Sequence, residues 1–496
     1  MASPEGKIEF VSNLNGTTLT EVSLGSLLAP LCFLSRGLFL IVFNMRKGVL
    51  PLSKGANLLL DFTTLIMPLV LSCTVLSDIL HFVIMGLAVV DFAVIYHVYK
   101  NRKHPFQGSF NGVIDRFAQS SVESNLVPFV TVFRVLVNVK TAISILAVDF
   151  SVYPRRYAKA ETYGTGVMDF GVGAYVMANA LVCPEARGKD IRGSKISHVL
   201  KQFLSVWPLV LLGLVRLASV KSTGYHEHVS EYGVHWNFFF TLAIVRVVAS
   251  ALLVMFPVNA SWLLALLIGG TYQLVLETTG LKSFLIHNDE RTGFLQANRE
   301  GIFSVVGYVA IYMAGVQVGL YLMQRRTSVK AWFRVIRNLL LTSFWLFVTL
   351  YICQTYTEPV SRRMANFSFC IWTVAQSMFF LSCISFADLV LLFSKAISNV
   401  SLVSSSWSPC PHKSVNSSRD EKIRTNMDAL CLVQSVNRNQ LLYFLLANIM
   451  TGLTNVLVDT LNCSDVLAVS VLLSYMFMNS LVIFILHINK ITIKFW

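Results

Sequence analysis

The chain has 496 residues, of which 55% are hydrophobic and only 13% are charged, and its formal net charge is +14. Soluble globular chains carry about a quarter charged residues, so this composition excludes an ordinary water-soluble domain. The Lys and Arg lie in short loops between apolar runs, with no basic aromatic domain or finger motif, which excludes a nucleic-acid binder.

Windows of about 20 mostly apolar residues recur along nearly the whole length, the pattern of a polytopic membrane protein. In chain order they predict about thirteen spans, at 22–44, 56–73, 76–98, 126–148, 164–183, 202–220, 236–256, 259–277, 302–323, 335–354, 366–394, 440–460 and 466–488. The expected fold class is therefore all-α. The first twenty residues lack the charged-then-apolar start and small-residue cleavage site of a removable signal peptide, so the first span is expected to act as an uncleaved anchor. The expected organisation is an N-terminal segment at 1–21, a membrane core of about eleven spans at 22–394, a loop at 395–439, and the last two spans with a tail at 440–496. That loop is rich in Ser and Asn and poor in aliphatic residues, which predicts a flexible linker rather than a domain.

Loop charge orients the spans. With the N-terminus lumenal and the C-terminus cytosolic, the cytosolic loops gather Arg46, Lys47, Lys54, Lys100, Arg102, Lys103, Arg187, Lys189, Arg192, Lys195, Arg325, Arg326, Lys330, Arg334 and Arg337, together with the basic residues of 395–439. The opposite loops hold fewer than half as many, as the positive-inside rule requires. The Asn15-Gly16-Thr17 sequon then faces the lumen, where it is a potential glycosylation site. Basic residues that break the rule are Arg155, Arg156, Lys159, Lys221, Lys282, Arg291, Arg299, Arg362 and Arg363. Most lie in polar clusters at the lumenal ends of different spans, which points to one shared site on that side. Charge inside a bilayer costs a few kcal/mol or more, so the dense stretch AVDFSVYPRRYAKAETYGTGVMDFGVG, from Ala147 to Gly173, needs a functional reason or a topological one.

The nine cysteines are scattered and form no CxxC pair, which indicates neither a zinc site nor a disulfide framework. His226-Glu227-His228 with Glu231 lacks the H-E-x-x-H spacing, so no metal site is expected. The chain has no phosphate-binding loop and no G-x-S-x-G elbow. The glycines of GTGVMDFGVG are expected to let helices approach closely.

The Ala147–Gly173 stretch, EYGVHWNFFFT at 231–241, ANREGIFSVVGYVAIYMAGVQ at 297–317, SRRMANFSFCIW at 361–372, VSNLNGTT near the start and the closing KFW together carry a resemblance. They resemble the glucosaminyl-phosphatidylinositol inositol acyltransferases of GPI-anchor biosynthesis, the PIG-W family of animals with its fungal counterpart. The match runs in order from Val11 to Trp496, and only the stretch around 400–435 departs from it. The resemblance implies transfer of a long-chain acyl group, palmitoyl from acyl-CoA, to the inositol 2-hydroxyl of glucosaminyl-phosphatidylinositol. It implies an endoplasmic reticulum membrane protein with its active site facing the lumen. No cofactor would be permanently bound, since palmitoyl-CoA is a co-substrate. The partners would be acyl-CoA, glucosaminyl-phosphatidylinositol and membrane lipids.

The residues suit that chemistry. An inositol hydroxyl is a weak nucleophile, so a positioned base must take its proton as it attacks the thioester. The carbonyl oxygen turns negative and needs donors or a cation aimed at it. The resemblance implies that Asp149 and Lys159 are the catalytic pair, with Asp149 as base and Lys159 pairing with it, orienting it or stabilising the oxyanion. The alternative is a salt bridge that fixes the loop. Arg155 and Arg156 suit phosphate groups of the lipid or of CoA, or anchor headgroups. Asp169 suits the glucosamine ammonium, or an intramembrane contact with Arg134 or Lys140. His235 is an alternative base or a structural histidine. Asn298, Arg299 and Glu300 are expected to line the site, as are Arg362, Arg363 and Asn366. No Ser or Cys nucleophile lies beside a base, which favours direct transfer over an acyl-enzyme. Two other classes stay open: a multispanning lipid transporter, and a non-catalytic subunit of a GPI-synthesis complex.

Overall fold

The computed structural model describes residues 10, 12, 14–47, 53–102, 106, 108–122, 127–188, 195–223, 229–288, 290–400, 403–407 and 430–493. Long apolar runs between polar caps dictate the elements. In chain order these are α1 (Leu19–Lys47), α2 (Lys54–Ser72, with a π-helical turn at Phe62–Ile66), α3 (Ser77–Lys100), α4 (Phe110–Gln119), α5 (Pro128–Ala147), α6 (Val167–Ala180), α7 (Lys195–Ser205), α8 (Trp207–Thr223), α9 (Val229–Tyr232) and α10 (Phe238–Met255). There follow α11 (Ser261–Thr278), α12 (Leu281–His287), α13 (Gly293–Ala297), α14 (Arg299–Leu322), α15 (Val329–Tyr356), α16 (Phe367–Ser398), α17 (Leu432–Arg438), α18 (Gln440–Leu457) and α19 (Asp465–Ile488). Side-chain oxygens set several starts: Ser53 accepts from the Ala56 amide, Asn237 from Phe239 and Phe240, Ser328 from Ala331, Asn366 from Phe369 and Ser464 from Leu467. Each satisfies amides that a helix N-terminus leaves open.

Among the described residues, 12 stretches are long and apolar enough to cross a membrane. They coincide with the expected spans except at 164–183, where α6 has 14 residues. That is about 21 Å of helix, short of the roughly 30 Å hydrocarbon core. The shortfall has a physical reason. α6 packs among α5, α14 and α16 rather than against lipid, so the turn that follows it can leave the helical ladder at membrane depth. A Cβ on Gly319 of α14 would lie 2.6 Å from the Leu181 carbonyl oxygen, which shows how closely that turn packs. The close approach expected of the α6 glycines is present too, because a Cβ on Gly173 would lie 2.5 Å from Thr373 of α16.

α14 and α16 are buried along most of their length and form the centre, whereas α3 and α8 sit at the rim. Loops gather at the two ends of the bundle. At one end, the 14–18 segment pairs with 161–165, and Gly164 donates to the Val360 carbonyl. At the other, Val122 donates to Thr327 and Val329 to Ser120, while Trp407 packs on Phe129 and Trp332. The 395–439 loop, expected as a linker, has both described edges packed at this second end. Lys395 donates to the carbonyls of Val403 and Trp407. Arg36 pairs with Asp61 and donates to Ser404 and Cys431, and the Leu432 amide donates to Asp61. The middle of that loop (408–429, with Cys410), His226–His228 and the closing 494–496 lie outside the described residues.

Gly307 fixes the loop that precedes α16. Ala365 there adopts the left-handed region at φ 48°, and a Cβ on Gly307 would overlap the Ala365 carbonyl. Gly307→Val is therefore expected to destabilise the protein by about 1–3 kcal/mol or more through overpacking. Thermal unfolding of the purified membrane protein would show this as a lowered Tm; an unchanged Tm would mean that α14 and this loop are free to separate.

Candidate active site

Asp149 follows the last turn of α5, where its amide donates to the Leu146 carbonyl at 3.1 Å. Its Oδ2 accepts 2.7 Å from Nδ2 of Asn455, in the last turn of α18 and 306 residues away in sequence. The loop beyond is held by Arg155, whose guanidinium donates to the carbonyls of Val148, Phe150 and Tyr153 and lies 3.9 Å from the Phe10 ring centroid. Arg155 thus binds its own loop. Arg156 pairs with Glu21 at 2.9 Å and Asp78 at 2.6 Å, joining α1 and α3 to the loop. Glu21 also accepts from Tyr157 and Thr17.

Ten residues after Asp149, Lys159 places its Nζ 2.7 Å from Oε2 of Glu231. Burial opposes ionisation of Glu231, yet the Lys159 ammonium and then the Arg362 guanidinium outweigh it and hold the carboxyl down at about 2. The next carboxylate is wholly buried. Asp169 accepts from Nε of Arg362 at 2.7 Å and from the amides of Ala160 (2.9 Å) and Gly166 (3.0 Å). It therefore caps α6, closes the loop and neutralises Arg362. Burial disfavours the charge on Arg362, but Glu231 and Asp169 more than offset this and raise the guanidinium above the ordinary arginine value. Of the partners expected for Asp169, neither Arg134 nor Lys140 bonds to it; Arg362 does.

The NREG stretch opens α14. Glu300 accepts from both terminal nitrogens of Arg291 at 2.8 Å and from Arg363 at 3.1 Å, with Nε of Arg299 at 3.6 Å. Arg299 also donates to the carbonyls of Glu290, Gln296 and Asn288. Asn298 accepts from the His235 amide at 2.8 Å, so both residues tie the 233–235 turn to α13. Asn366 caps α16 and donates to Glu358 and the Pro359 carbonyl. Glu358 is buried and gathers Tyr163, Lys282, Gln273 and Asn366 within 3.0 Å.

The structure thus brings Asp149, Arg155, Arg156, Lys159, Asp169, His235, Asn298, Arg299, Glu300, Arg362, Arg363 and Asn366 to one end of the bundle. Asp149 and Lys159 have separate partners, Asn455 and Glu231. Glu21, Glu231, Glu358 and Asn455 escape a motif-based reading. Each is a single polar residue with at least one partner far off in sequence; only the position of Glu231 at the head of EYGVHW gave a signal. Chemically, the end presents a carboxylate and an ammonium on one loop, each held from another helix. Among the described residues no group of three His, Cys, Asp or Glu side chains gathers to hold a metal ion. A small apolar cavity bordered by Leu65, Leu69, Val135, Leu136 and Val436 lies between α2, α5 and α17 and offers no group for chemistry.

Residues 4–486 match the family model described as GWT1. The chain is 43% identical over 504 residues to the Bos taurus protein named glucosaminyl-phosphatidylinositol-acyltransferase PIGW, covering 100% of both chains. It is 43% identical over 505 residues to the Homo sapiens protein of the same name, again covering 100% of both. To the Aspergillus fumigatus protein named GPI-anchored wall transfer protein 1 it is 32% identical, over 95% of this chain and 94% of that one.

Glu358 yields a test of how this end is held. Burial pushes its carboxyl up, but bonds from Gln273, Lys282, Tyr163 and Asn366 outweigh burial and leave it below the ordinary 4.5. A depressed carboxyl contributes stability in full above its unfolded value and loses it as pH falls below that value. The Tm is therefore expected to decline as pH drops below 4.5. Glu358→Leu should cost about 2–4 kcal/mol at neutral pH, by stranding buried donors, and should flatten that acid decline. Thermal unfolding across pH reads both; equal acid slopes in the two proteins would remove Glu358 from the account.

Proposed function

The chain belongs to the GWT1 family, and from that premise we propose how it carries out inositol acylation. It is a membrane acyltransferase that acts on glucosaminyl-phosphatidylinositol in GPI-anchor biosynthesis. The donor in this reading is an acyl-CoA, with palmitoyl-CoA as the expected species, and the reacting end of the bundle faces the endoplasmic reticulum lumen. Loop charge supports that orientation.

The observation that carries the reading is the loop from Asp149 to Lys159, whose carboxylate and ammonium are each fixed by a residue from another helix. Asp149 takes the proton of the inositol 2-hydroxyl as its oxygen attacks the thioester carbonyl carbon. A C–O bond forms, and the carbonyl oxygen becomes an oxyanion that the Lys159 ammonium stabilises. Collapse of the intermediate breaks the C–S bond, and the departing CoA sulfur receives the proton that Asp149 took. The ester and free CoA balance the reaction without a covalent enzyme intermediate. Arg155 and Arg156 hold the loop through its carbonyls and through Glu21 and Asp78, and among the described residues the buried Nη1 of Arg155 has no hydrogen-bond partner. Asn298, His235, Asn366, Asp169 and Arg362 brace the segments around the loop.

Purified full-length protein in lipid nanodiscs, given palmitoyl-CoA and glucosaminyl-phosphatidylinositol, is expected to release free CoA and a lipid heavier by one acyl group. Asp149→Asn and Lys159→Ala are each expected to lower turnover by about 100-fold or more, with the Tm retained. Full turnover by both variants would refute these roles. Absence of turnover by the native protein, with lipid moved between leaflets instead, would mark a transporter.

A further inference from the structure

A lysine ammonium is a compact charge on a flexible four-carbon stem. An amine that must meet one oxygen at one moment therefore needs a partner that limits its positions. Glu231 has the placement to be that partner. It lies on α9, a single turn that packs on α14 and runs into a 233–235 turn anchored by α13 and Asn298. The Val234 amide donates to the Ala297 carbonyl at 2.9 Å, and the His235 amide to Asn298 at 2.8 Å. Just before them Gly233 adopts φ 111°, with α13 so close that a Cβ would lie 2.5 Å from the Ala297 oxygen and the Asn298 Cα. Only glycine suits both the left-handed backbone and the contact.

On the other side stands Arg362, with its guanidinium 5.9 Å from the Tyr232 ring centroid. Its Nε is committed to Asp169 at 2.7 Å. The Glu231 carboxylate bonds to Lys159 at 2.7 Å, and the Arg362 charge nearby favours its ionised form.

We infer that Glu231 is a positioning residue for acyl transfer, whose rigidly mounted carboxylate fixes the Lys159 ammonium where the reacting carbonyl must lie. One N–H of the amine goes to Glu231, and the others remain for substrate. The inference rests on the role given to Lys159 above. Exposure separates it from a purely structural pair. Lys159 and Glu231 keep 27% and 26% of their side-chain surface open, so the amine stays reachable in a way that a sealed structural pair would not. Loss of Glu231 should therefore show in turnover beyond any loss of stability.

The test uses the full-length protein in nanodiscs with palmitoyl-CoA and glucosaminyl-phosphatidylinositol. Glu231→Gln is expected to lower kcat by about 10–100-fold, with KM for both substrates within about twofold, when both proteins are assayed at a temperature where each is fully folded. Glu231→Asp keeps the charge on a shorter stem and is expected to recover part of the loss, leaving kcat about fivefold below the native value. Native kcat in both variants overturns the inference, as does a loss of kcat that only parallels a fall in Tm. Should Glu231→Gln fail to fold, Glu231→Asp decides alone: lowered kcat at native Tm supports the inference and native kcat overturns it. Full turnover by Lys159→Ala would instead remove the reading of Lys159 itself.

Discussion

One buried carboxylate holds the Asp149–Lys159 end of this protein together. Asp169 receives the guanidinium of Arg362 from the loop before α16 and the amides of Ala160 and Gly166 from the loop after α5. A lone carboxylate or guanidinium removed from water costs several kcal/mol, and only mutual pairing with further hydrogen bonds offsets it. That requirement forces three segments into register: the Asp149–Lys159 loop, the start of α6 and the SRRMAN turn. The same logic recurs around Glu300 and Glu358, so the polar loops close as a set.

The apolar part of the chain serves that polar end. α14 and α16 run through the middle of the bundle, and the 14-residue α6 lies against both. Glycines at 173, 315 and 319 let these helices approach to backbone distance, which sets where Asp169 and Glu300 emerge. At the opposite end, Arg36, Asp61, Ser404 and Cys431 lock α1 and α2 to the edges of the long loop. The two ends thus share a construction principle, and the first presents a carboxylate and an amine on one loop, each held from a distant segment.

The spans were legible because hydropathy over about 20 residues is a strong signal and needs no knowledge of partners. The thirteenth expected span, at 164–183, is instead the 14-residue helix α6, whose length follows from burial among neighbours, which hydropathy does not record. PRRYAK, NREG and SRRMAN were legible as one end of the molecule through the charge rule. Their individual duties were not. Arg155 and Arg156 read as phosphate ligands or headgroup anchors; the sequence did not show that they also bond to their own loop and to Glu21 and Asp78, since a guanidinium satisfies carbonyls and carboxylates as readily as phosphate. Asn455 and Glu358 were invisible as single polar residues in apolar or irregular surroundings, their partners set only by the fold. The edges of the 395–439 loop misled for a related reason: Ser404, Ser405 and Trp407 look like linker until Arg36, Cys431 and Trp332 are seen beside them.

The central claim is that acyl transfer takes place at the Asn455–Asp149 and Lys159–Glu231 end of the bundle. The most direct measurement is an experimental map of the protein in nanodiscs with a non-hydrolysable palmitoyl-CoA analogue and glucosaminyl-phosphatidylinositol. The account predicts the thioester carbonyl within about 3 Å of Lys159 Nζ and the inositol 2-hydroxyl within about 3 Å of the Asp149 carboxylate. A thioester lodged at the opposite end, near Arg36 and Asp61, would contradict it.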